Sequence, residues 1–230
     1  MSKLGLGSRT QAARWVREGR VRVNGALVRD PEFPVLPGVD QVLLDDRAAA
    51  PATRLVVMLN KPRGLVTTTR DEQGRDTVYR CLEGSDLPWV APVGRLDKAS
   101  EGLLLFTNDP LWAAGITNPA SGPDKTYHVQ INRLPQPDLL TTLTQGVAVD
   151  GEHLRAKLAR VLRVGDKNAW LEIVLDEGRN RQIRRLLAAL DLSVLRLVRV
   201  AVGSLQLGEL AKGQWRPLTE PEIHAAAGST

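Results

Sequence analysis

Short apolar runs of strand length dominate the chain from Arg54 onward, and they limit the folds that it can adopt. These runs are residues 55–59, 103–106, 127–131, 161–164, 169–175 and 194–202. Parallel strands need crossover connections that are usually helices, but few helical patterns lie between these runs. The sequence therefore predicts an α+β fold in which residues 54–224 form a domain around a mainly antiparallel sheet.

The N-terminal residues 1–46 have a different character. Residues 1–29 hold seven Lys or Arg and one acid, whereas the rest of this segment holds five acids and no Lys or Arg. Ser8 is a good N-cap for a helix, and Asn24-Gly25 between two short apolar stretches is a strong hairpin signal. The arginines expected on the exposed face of the helix are Arg9, Arg14 and Arg17. We therefore predict a small helix–hairpin module, followed by a linker at residues 47–53.

Composition narrows the class of protein further. Hydrophobic residues make up 43% of the 230 residues, which suits a globular protein with a substantial core. No run reaches the roughly 18 apolar residues of a membrane helix, and the start lacks the apolar stretch of a secretory signal. A single cysteine and three scattered histidines indicate neither a disulfide framework nor a metal site. The net charge of +5 favours a polyanionic partner, so we expect a cytoplasmic, metal-free protein with no membrane partner.

Three polar segments adjoin the apolar runs, and they are the candidates for chemistry. Asp97 lies in the loop Gly94-Arg95-Leu96-Asp97, although such an aspartate alone is usually a turn-former or a helix cap. Residues 179–185 hold four arginines, and arginines beside an apolar helix stripe need anionic partners. Those partners are either RNA phosphates or a carboxylate such as Asp97. The third segment is Lys125-Thr126-Tyr127, which contains one of only two tyrosines.

Taken in order, these segments resemble the motifs of bacterial ribosomal RNA pseudouridine synthases, specifically the RsuA-like branch. The matching stretches are Leu59-Asn60-Lys61-Pro62-Arg63-Gly64, residues 94–109, Lys125-Thr126-Tyr127, residues 177–185, Val198-Arg199, Gly203 and Gly213-Gln214-Trp215-Arg216. Residues 1–46 resemble the RNA-binding module of ribosomal protein S4, but five residues precede Leu6 where that family has a full helix. Either the first helix is truncated or the start codon is misassigned. The resemblance implies an RNA-modifying isomerase that acts on ribosomal RNA.

The resemblance also implies a reaction and its residues. The bond between ribose C1′ and uracil N1 breaks, and the base rejoins the ribose through C5, so no cofactor is expected. Asp97 is the implied catalytic carboxylate, acting either as a nucleophile at C1′ or as a base at C2′. Arg184 matches the family arginine that pairs with it, and Tyr127 matches the tyrosine that packs against the base. Arg95 matches a residue that occupies the space of the extruded base. The predicted phosphate contacts are Lys61, Arg179 and Arg181, with Arg9, Arg14 and Arg17 in the module.

Alternatives to this function stay open at the level of sequence. A non-catalytic RNA-binding factor in ribosome assembly needs only the module and the arginine segment, with Asp97 structural. An enzyme acting on transfer RNA is a further alternative. Residues 101–108 and 177–182 are closer to large-subunit enzymes of the E type, which typically lack the N-terminal module. We therefore favour 23S over 16S rRNA as the substrate.

Two further expectations concern local and overall structure. Pro110 stands where these enzymes usually have a glycine, and its fixed φ requires a different turn at that position. No heptad pattern and no long exposed apolar helix is visible in the sequence. We therefore expect a monomer.

Overall fold

The N-terminal part of the chain is a helix packed on a small antiparallel sheet. The structure is a computed structural model, and it describes residues 1, 4, 6–36, 38–49, 53–69 and 71–228. The elements here are α1 (Arg9–Arg17), β1 (Val21–Val23), β2 (Ala26–Val28), β3 (Val42–Leu44) and β4 (Arg47–Ala48), with strand order β2-β1-β3-β4. Ser8 caps α1 by accepting a hydrogen bond from the Gln11 amide at 3.1 Å. The helix and the hairpin lie where the sequence predicts them.

The strand β4 lies within residues 47–53, which the sequence predicts to be a linker. Asp45 and Asp46 have φ angles of 50° and 59°, and they return the chain onto β3. Two-residue hairpin turns favour such angles, but their usual glycine signal is missing here. The prediction of a linker is therefore wrong for Arg47 and Ala48. Residues 50–52 of that linker lie outside the described residues, as do residues 2, 3 and 5 of the predicted truncated helix.

The rest of the chain forms a nine-stranded sheet with helices packed on it. Its strands are β5 (Val56–Lys61), β6 (Ala91–Val93), β7 (Glu101–Thr107), β8 (Lys125–Ile131), β11 (Leu158–Val164), β12 (Ala169–Leu175), β13 (Val194–Val202), β14 (Leu205–Gln206) and β15 (Trp215–Pro217). The order is β11-β12-β8-β13-β7-β5-β15, with β6 beside β7 and β14 beside β13. A separate hairpin joins β9 (Val147–Val149) and β10 (Glu152–Leu154). Of the described pairings in the large sheet, β13 with β7 is parallel and the others are antiparallel. The predicted α+β fold on a mainly antiparallel sheet is confirmed.

Four helices and one short 3-10 helix complete this part. They are α2 (Pro110–Thr117), α3 (Leu139–Gln145), α4 (Gln182–Ala188), α5 (Glu220–Ala227) and the 3-10 helix Val78–Leu82. Pro110 begins α2, and Asp109 caps it by accepting hydrogen bonds from the amides of Leu111 and Trp112. Proline suits the first helical position because an N–H group at that position has no acceptor within the helix, so its absence costs no hydrogen bond. The different turn that the sequence predicts at Pro110 is therefore the first turn of α2. Across the described ranges, no helix has the length and apolar character needed to cross a bilayer.

Three hydrophobic clusters hold the large sheet. One lies where α3 and α4 pack on β8, β12 and β13. A second lies between α2, α5 and the strands β5, β6 and β7. The third covers the opposite face of β5 and β7 with the 3-10 helix. Because β5 and β7 are buried on both faces, each contains a continuous apolar run, residues 56–59 and 103–106. The strand β12 instead alternates between buried and partly exposed residues.

Candidate active site

A cavity of about 490 Å³ lies where the three polar segments of the sequence meet. Its lining includes Asp97 from the loop between β6 and β7, Tyr127 from β8, and Arg184 from α4. The strands β7, β13 and β8 are neighbours in the sheet, and α4 packs over β8 and β12. The fold therefore brings the three predicted catalytic residues to one cavity.

Hydrogen bonds to backbone carbonyls fix the loop that carries Asp97. Nζ of Lys61 donates to Asp97 O at 3.2 Å and to Ser100 O at 2.8 Å. Oγ1 of Thr67 donates to Leu96 O at 2.7 Å. The loop is tied on both sides of Asp97, so the carboxylate is presented from a defined backbone.

Lys61 itself is fully buried, with 0% of its surface exposed. Its Nζ also donates to Pro62 O, which gives the amino group three carbonyl acceptors. Burial lowers the pKa of Lys61 to about 8, although the Asp97 carboxylate acts in the opposite direction. A phosphate cannot reach this amino group without displacing the loop, so the prediction that Lys61 contacts phosphate does not fit the structure. Lys61, the last residue of β5, instead stabilises the Asp97 loop through these hydrogen bonds.

Asp97 forms an ion pair with Arg181. Nη1 of Arg181 lies 3.2 Å from Oδ2 of Asp97, and the two side chains are 50% and 34% exposed. Arg181 directly precedes α4 and has a left-handed backbone conformation with a φ of 48°. Its side chain reaches the carboxylate of Asp97 from this position. The sequence predicts this partnership for Arg184 and a phosphate contact for Arg181. In the structure Arg181 takes the place predicted for Arg184.

Arg184 lines the same cavity but donates to backbone carbonyls. Its Nη2 lies 3.3 Å from Ala99 O, and its Nη1 lies 3.5 Å from Val194 O. Its Nε is buried with no hydrogen-bond partner among the described residues. Burial lowers the pKa of Arg184, the positive charge of Arg181 lowers it further, and Asp97 partly offsets both. Arg184 therefore contacts the loop just after Asp97 and keeps one N–H unused.

Tyr127 lies where two of the hydrophobic clusters meet. Its ring packs against the cluster under α3 and α4 and against the cluster beside the 3-10 helix. Ile173 and Arg199 are its neighbours in the adjacent strands. The ring is partly exposed and lines the cavity that contains Asp97. It is thus held on one side by the core and available to a planar group on the other.

The two remaining predicted contacts in the cavity differ in how their charges are paired. Arg95 is exposed and lines both this cavity and a second one of about 450 Å³. It makes no ion pair with any other described residue. Arg179 pairs with Glu177 at 2.8 Å and with Glu152 at 3.3 Å. A phosphate must therefore compete with two carboxylates for Arg179, but not for Arg95.

The arginines of α1 are exposed, as the sequence predicts. Arg14 pairs with Glu18 one turn later at 2.6 Å. Within the described part of the chain, Arg9 and Arg17 make no ion pair with a carboxylate. Two of the three predicted RNA contacts on α1 thus carry unpaired charges.

The sequence assigned no role to three residues that shape the cavity. Gln182 is buried, and its Nε2 donates to Arg155 O at 2.9 Å and to Oε1 of Glu177 at 2.6 Å. Arg155 directly follows β10, and Glu177 lies just after β12. Gln182 therefore anchors the arginine segment to the ends of these two strands. Lys125 and Arg199 also line the cavity. A signal existed for both, because each is a cation in a strand-like segment, Arg199 together with Arg196.

Comparison with known proteins identifies the family. The profile described as RNA pseudouridylate synthase matches residues 55–189, and the S4 domain profile matches residues 1–40. The ribosomal large subunit pseudouridine synthase B of Bacillus subtilis (strain 168) is 32% identical over 222 residues, covering 95% of this chain and 90% of that protein. The ribosomal large subunit pseudouridine synthase E of Vibrio parahaemolyticus is 37% identical over 179 residues, covering 72% and 74%. The crystal structure of a pseudouridylate synthase matches 95% of this chain and 94% of its own, with a TM-score of 0.67 and 31% identity.

An S4 domain at the N-terminus and a catalytic-domain profile over more than half of the chain define the class of protein. The chain belongs to the RNA pseudouridylate synthase family, whose members are isomerases. The predicted family resemblance is confirmed.

Proposed function

We propose that the chain converts a uridine of large-subunit ribosomal RNA to pseudouridine. The observation that carries the proposal is the carboxylate of Asp97, which shares one cavity with Tyr127, Arg181 and Arg184. The relatives named for the large ribosomal subunit support 23S over 16S rRNA as the substrate.

Asp97 acts on the ribose in this proposal. The bond between C1′ and N1 breaks, the uracil turns within the cavity, and C5 bonds to C1′. C5 then loses its proton and N1 gains one, so atoms balance without an oxidant, a reductant or a cofactor. An ionised carboxylate serves whether it attacks C1′ or removes the proton at C2′. The guanidinium of Arg181 lies 3.2 Å from this carboxylate and can orient it for either role.

The target uridine must leave its stack to reach Asp97. Extrusion of a base costs a few kcal/mol, and a group that occupies the vacated space offsets part of that cost. Arg95 is suited to this role because it is exposed beside Asp97 and its planar guanidinium can stack on bases. Tyr127 then packs against the extruded uracil and lies near the C5 proton. Arg184 keeps the Asp97 loop in place.

The two parts of the chain divide the work. Residues 1–46 hold structured RNA through Arg9, Arg14 and Arg17, while residues 54–224 carry out the isomerisation. The exposed charges of α1 support the first assignment, because neutralising phosphates is the main source of affinity in RNA-binding modules. We place the reaction in the cytoplasm with the protein acting as a monomer.

Pseudouridine mapping tests the proposal directly. Ribosomal RNA from cells with and without the gene would be compared by carbodiimide modification and primer extension. We expect one site in 23S rRNA to lose its pseudouridine and to regain it when the wild-type gene is restored. An unchanged pattern in all ribosomal and transfer RNAs would contradict the proposal, and it would favour the binding factor if ribosome assembly also slowed. A site lost only from transfer RNA would instead identify that substrate.

A further inference from the structure

We propose that Lys125 and Arg199 form a binding site for one phosphate group of the RNA strand beside the target uridine. Both residues line the cavity that contains Asp97. The proposal rests on the proposed function, because it places part of an RNA substrate in this cavity.

Lys125 is a partly buried cation that forms no hydrogen bond or ion pair within the described part of the chain. It is the first residue of β8. A methyl group built on Gly122 would lie 3.3 Å from this Nζ, which places the ammonium group against the backbone that follows α2. The adjacent carboxylate, Asp124, is already paired with Lys157 at 2.7 Å. The charge of Lys125 is therefore left for a ligand in the cavity.

Arg199 is the second cation of the site. It is 6% exposed, and its Nε donates to Leu103 O at 2.7 Å. This bond fixes the guanidinium in the sheet, and no carboxylate among the described residues pairs with it. Burial lowers the pKa of Lys125, the positive charge of Arg199 lowers it further, and the Asp124 carboxylate partly offsets both effects. Both cations lie on the paired strands β8 and β13 and line the same cavity. Two like charges in one partly buried cavity are unfavourable until an anion binds between them.

The chemistry of the substrate identifies the anion. Uracil and ribose are neutral, so phosphate groups are the anions that an RNA strand brings into the cavity. Guanidinium and ammonium groups are the usual protein ligands of phosphate, and such contacts set the register of a strand without reading its bases. A phosphate in the cavity of Asp97 belongs to a nucleotide linkage at or next to the target uridine. The pair would therefore fix the position of the ribose relative to Asp97.

Binding of small nucleotides tests the site without requiring catalysis. Uridine, uridine 5′-monophosphate and uridine 3′-monophosphate would be titrated into the ¹⁵N-labelled full chain and followed by NMR. We expect one monophosphate to bind about tenfold more tightly than uridine, which corresponds to one charge-assisted contact. In Lys125→Met this advantage should be lost, whereas Lys125→Arg should keep it. Lys167→Met is the matched control, because Lys167 is an exposed lysine outside the cavity.

Three outcomes would overturn the inference. The first is that neither monophosphate binds more tightly than uridine, and the second is that none of the three binds at up to about 10 mM. The third is that the advantage persists in Lys125→Met. Turnover on a 23S rRNA transcript made with [5-³H]uridine reads out the proposed function separately. A wild-type protein that releases no tritium contradicts that function, while the nucleotide titration still decides the phosphate site.

Discussion

Single residues determine whether the loop that carries Asp97 keeps its shape, and Lys61 is the clearest case. Its amino group donates to three backbone carbonyls, and one of them, Asp97 O, also accepts a hydrogen bond from the Ser100 amide at 2.9 Å. The support from Lys61 therefore acts directly on the residue proposed to react.

Replacing Lys61 by Met should lower both stability and turnover. A carbonyl that loses its donor costs about 1–3 kcal/mol, and because Asp97 O keeps the Ser100 amide, we expect a total loss of about 3 kcal/mol in the free energy of unfolding. A displaced loop should lower kcat about tenfold. The dependence of RNA affinity on salt should not change, because Lys61 neutralises no phosphate. Chemical unfolding and tritium release measure these effects, with Lys98→Met as the control for an exposed lysine in the same loop. Unchanged stability with a weaker salt dependence would restore the predicted phosphate contact.

Gly102 is required by close packing as well as by its backbone angle. A Cβ at this position would lie 2.2 Å from Arg199 O, because β13 runs beside β7 there. Gly64 has the same φ of 103° but has no atom within 4 Å of an added Cβ.

Comparing Gly102→Ala with Gly64→Ala separates these two effects. Both variants should lose about 1 kcal/mol from the unfavourable φ. Only Gly102→Ala should lose a further 1–3 kcal/mol or so from overpacking, since the strands must move apart. Urea unfolding of the two variants gives the difference. Equal losses of unfolding free energy would show that β13 can move away from residue 102 without destabilising the protein.

At the scale of elements, the stability of α5 depends on pH through Glu222, which caps the start of this helix. Glu222 accepts hydrogen bonds from Arg216 at 2.6 and 2.9 Å, and it completes a capping box with Thr219. The hydrogen bond from Arg216 is the main cause that lowers the pKa of Glu222 to about 2, and the Thr219 amide adds to it. A carboxylate with a lowered pKa in the folded state stabilises the protein above its unfolded pKa, near 4.3. That contribution is lost as the pH falls from about 4.5 toward 2.

The variant Glu222→Gln should therefore lose part of its acid sensitivity. At pH 7 it should be less stable than the wild type by about 1 kcal/mol, because Gln can still complete the capping box but loses the charge-assisted hydrogen bonds from Arg216. Between pH 4.5 and 2.5 the free energy of unfolding should fall less steeply than in the wild type. Glu209→Gln is the control, because Glu209 is exposed and forms no ion pair with a described residue. A parallel decline in wild type and Glu222→Gln would exclude this cap as a source of acid sensitivity.

Elements with a local signal could be predicted from the sequence, and those formed by distant contacts could not. The Ser8 cap, the Asn24-Gly25 turn and the apolar run at residues 169–175 are local, and the structure has a cap, a turn and a strand there. The strand β4 lacks a local signal, because two aspartates make its turn. The same distinction applies to the site. The motifs predict that Asp97 and an arginine meet, but only the fold shows that Arg181 reaches the carboxylate and that Lys61 is buried.

At the scale of the whole molecule, the S4 domain and the catalytic cavity should affect different kinetic constants. Arg9 and Arg17 are exposed and unpaired among the described residues, so they should contribute to RNA affinity and not to the chemical step. The double variant Arg9→Gln, Arg17→Gln should raise KM several-fold with little change in kcat. Its affinity should also depend less steeply on salt, with a logarithmic slope smaller by up to about 0.7 for each phosphate that is no longer neutralised. Fluorescence anisotropy and tritium release measure both quantities.

A double variant with the same reduction in charge serves as the control. Arg133→Gln, Lys167→Gln removes two exposed cations that lie outside the S4 domain. We expect a smaller rise in KM than in the α1 variant. Equal effects of the two double variants would mean that overall charge, and not α1, determines RNA affinity.

The central role of Asp97 is tested most directly by tritium release from a 23S rRNA transcript made with [5-³H]uridine. The wild-type protein should release the tritium of its target uridine, because C5 loses its proton in the reaction. Asp97→Asn keeps the shape of the side chain but removes its charge, so it should release none while binding the transcript and unfolding like the wild type. Asp166→Asn, in an exposed turn, should retain wild-type activity. Release by Asp97→Asn at a rate close to that of the wild type would show that another residue carries out the reaction.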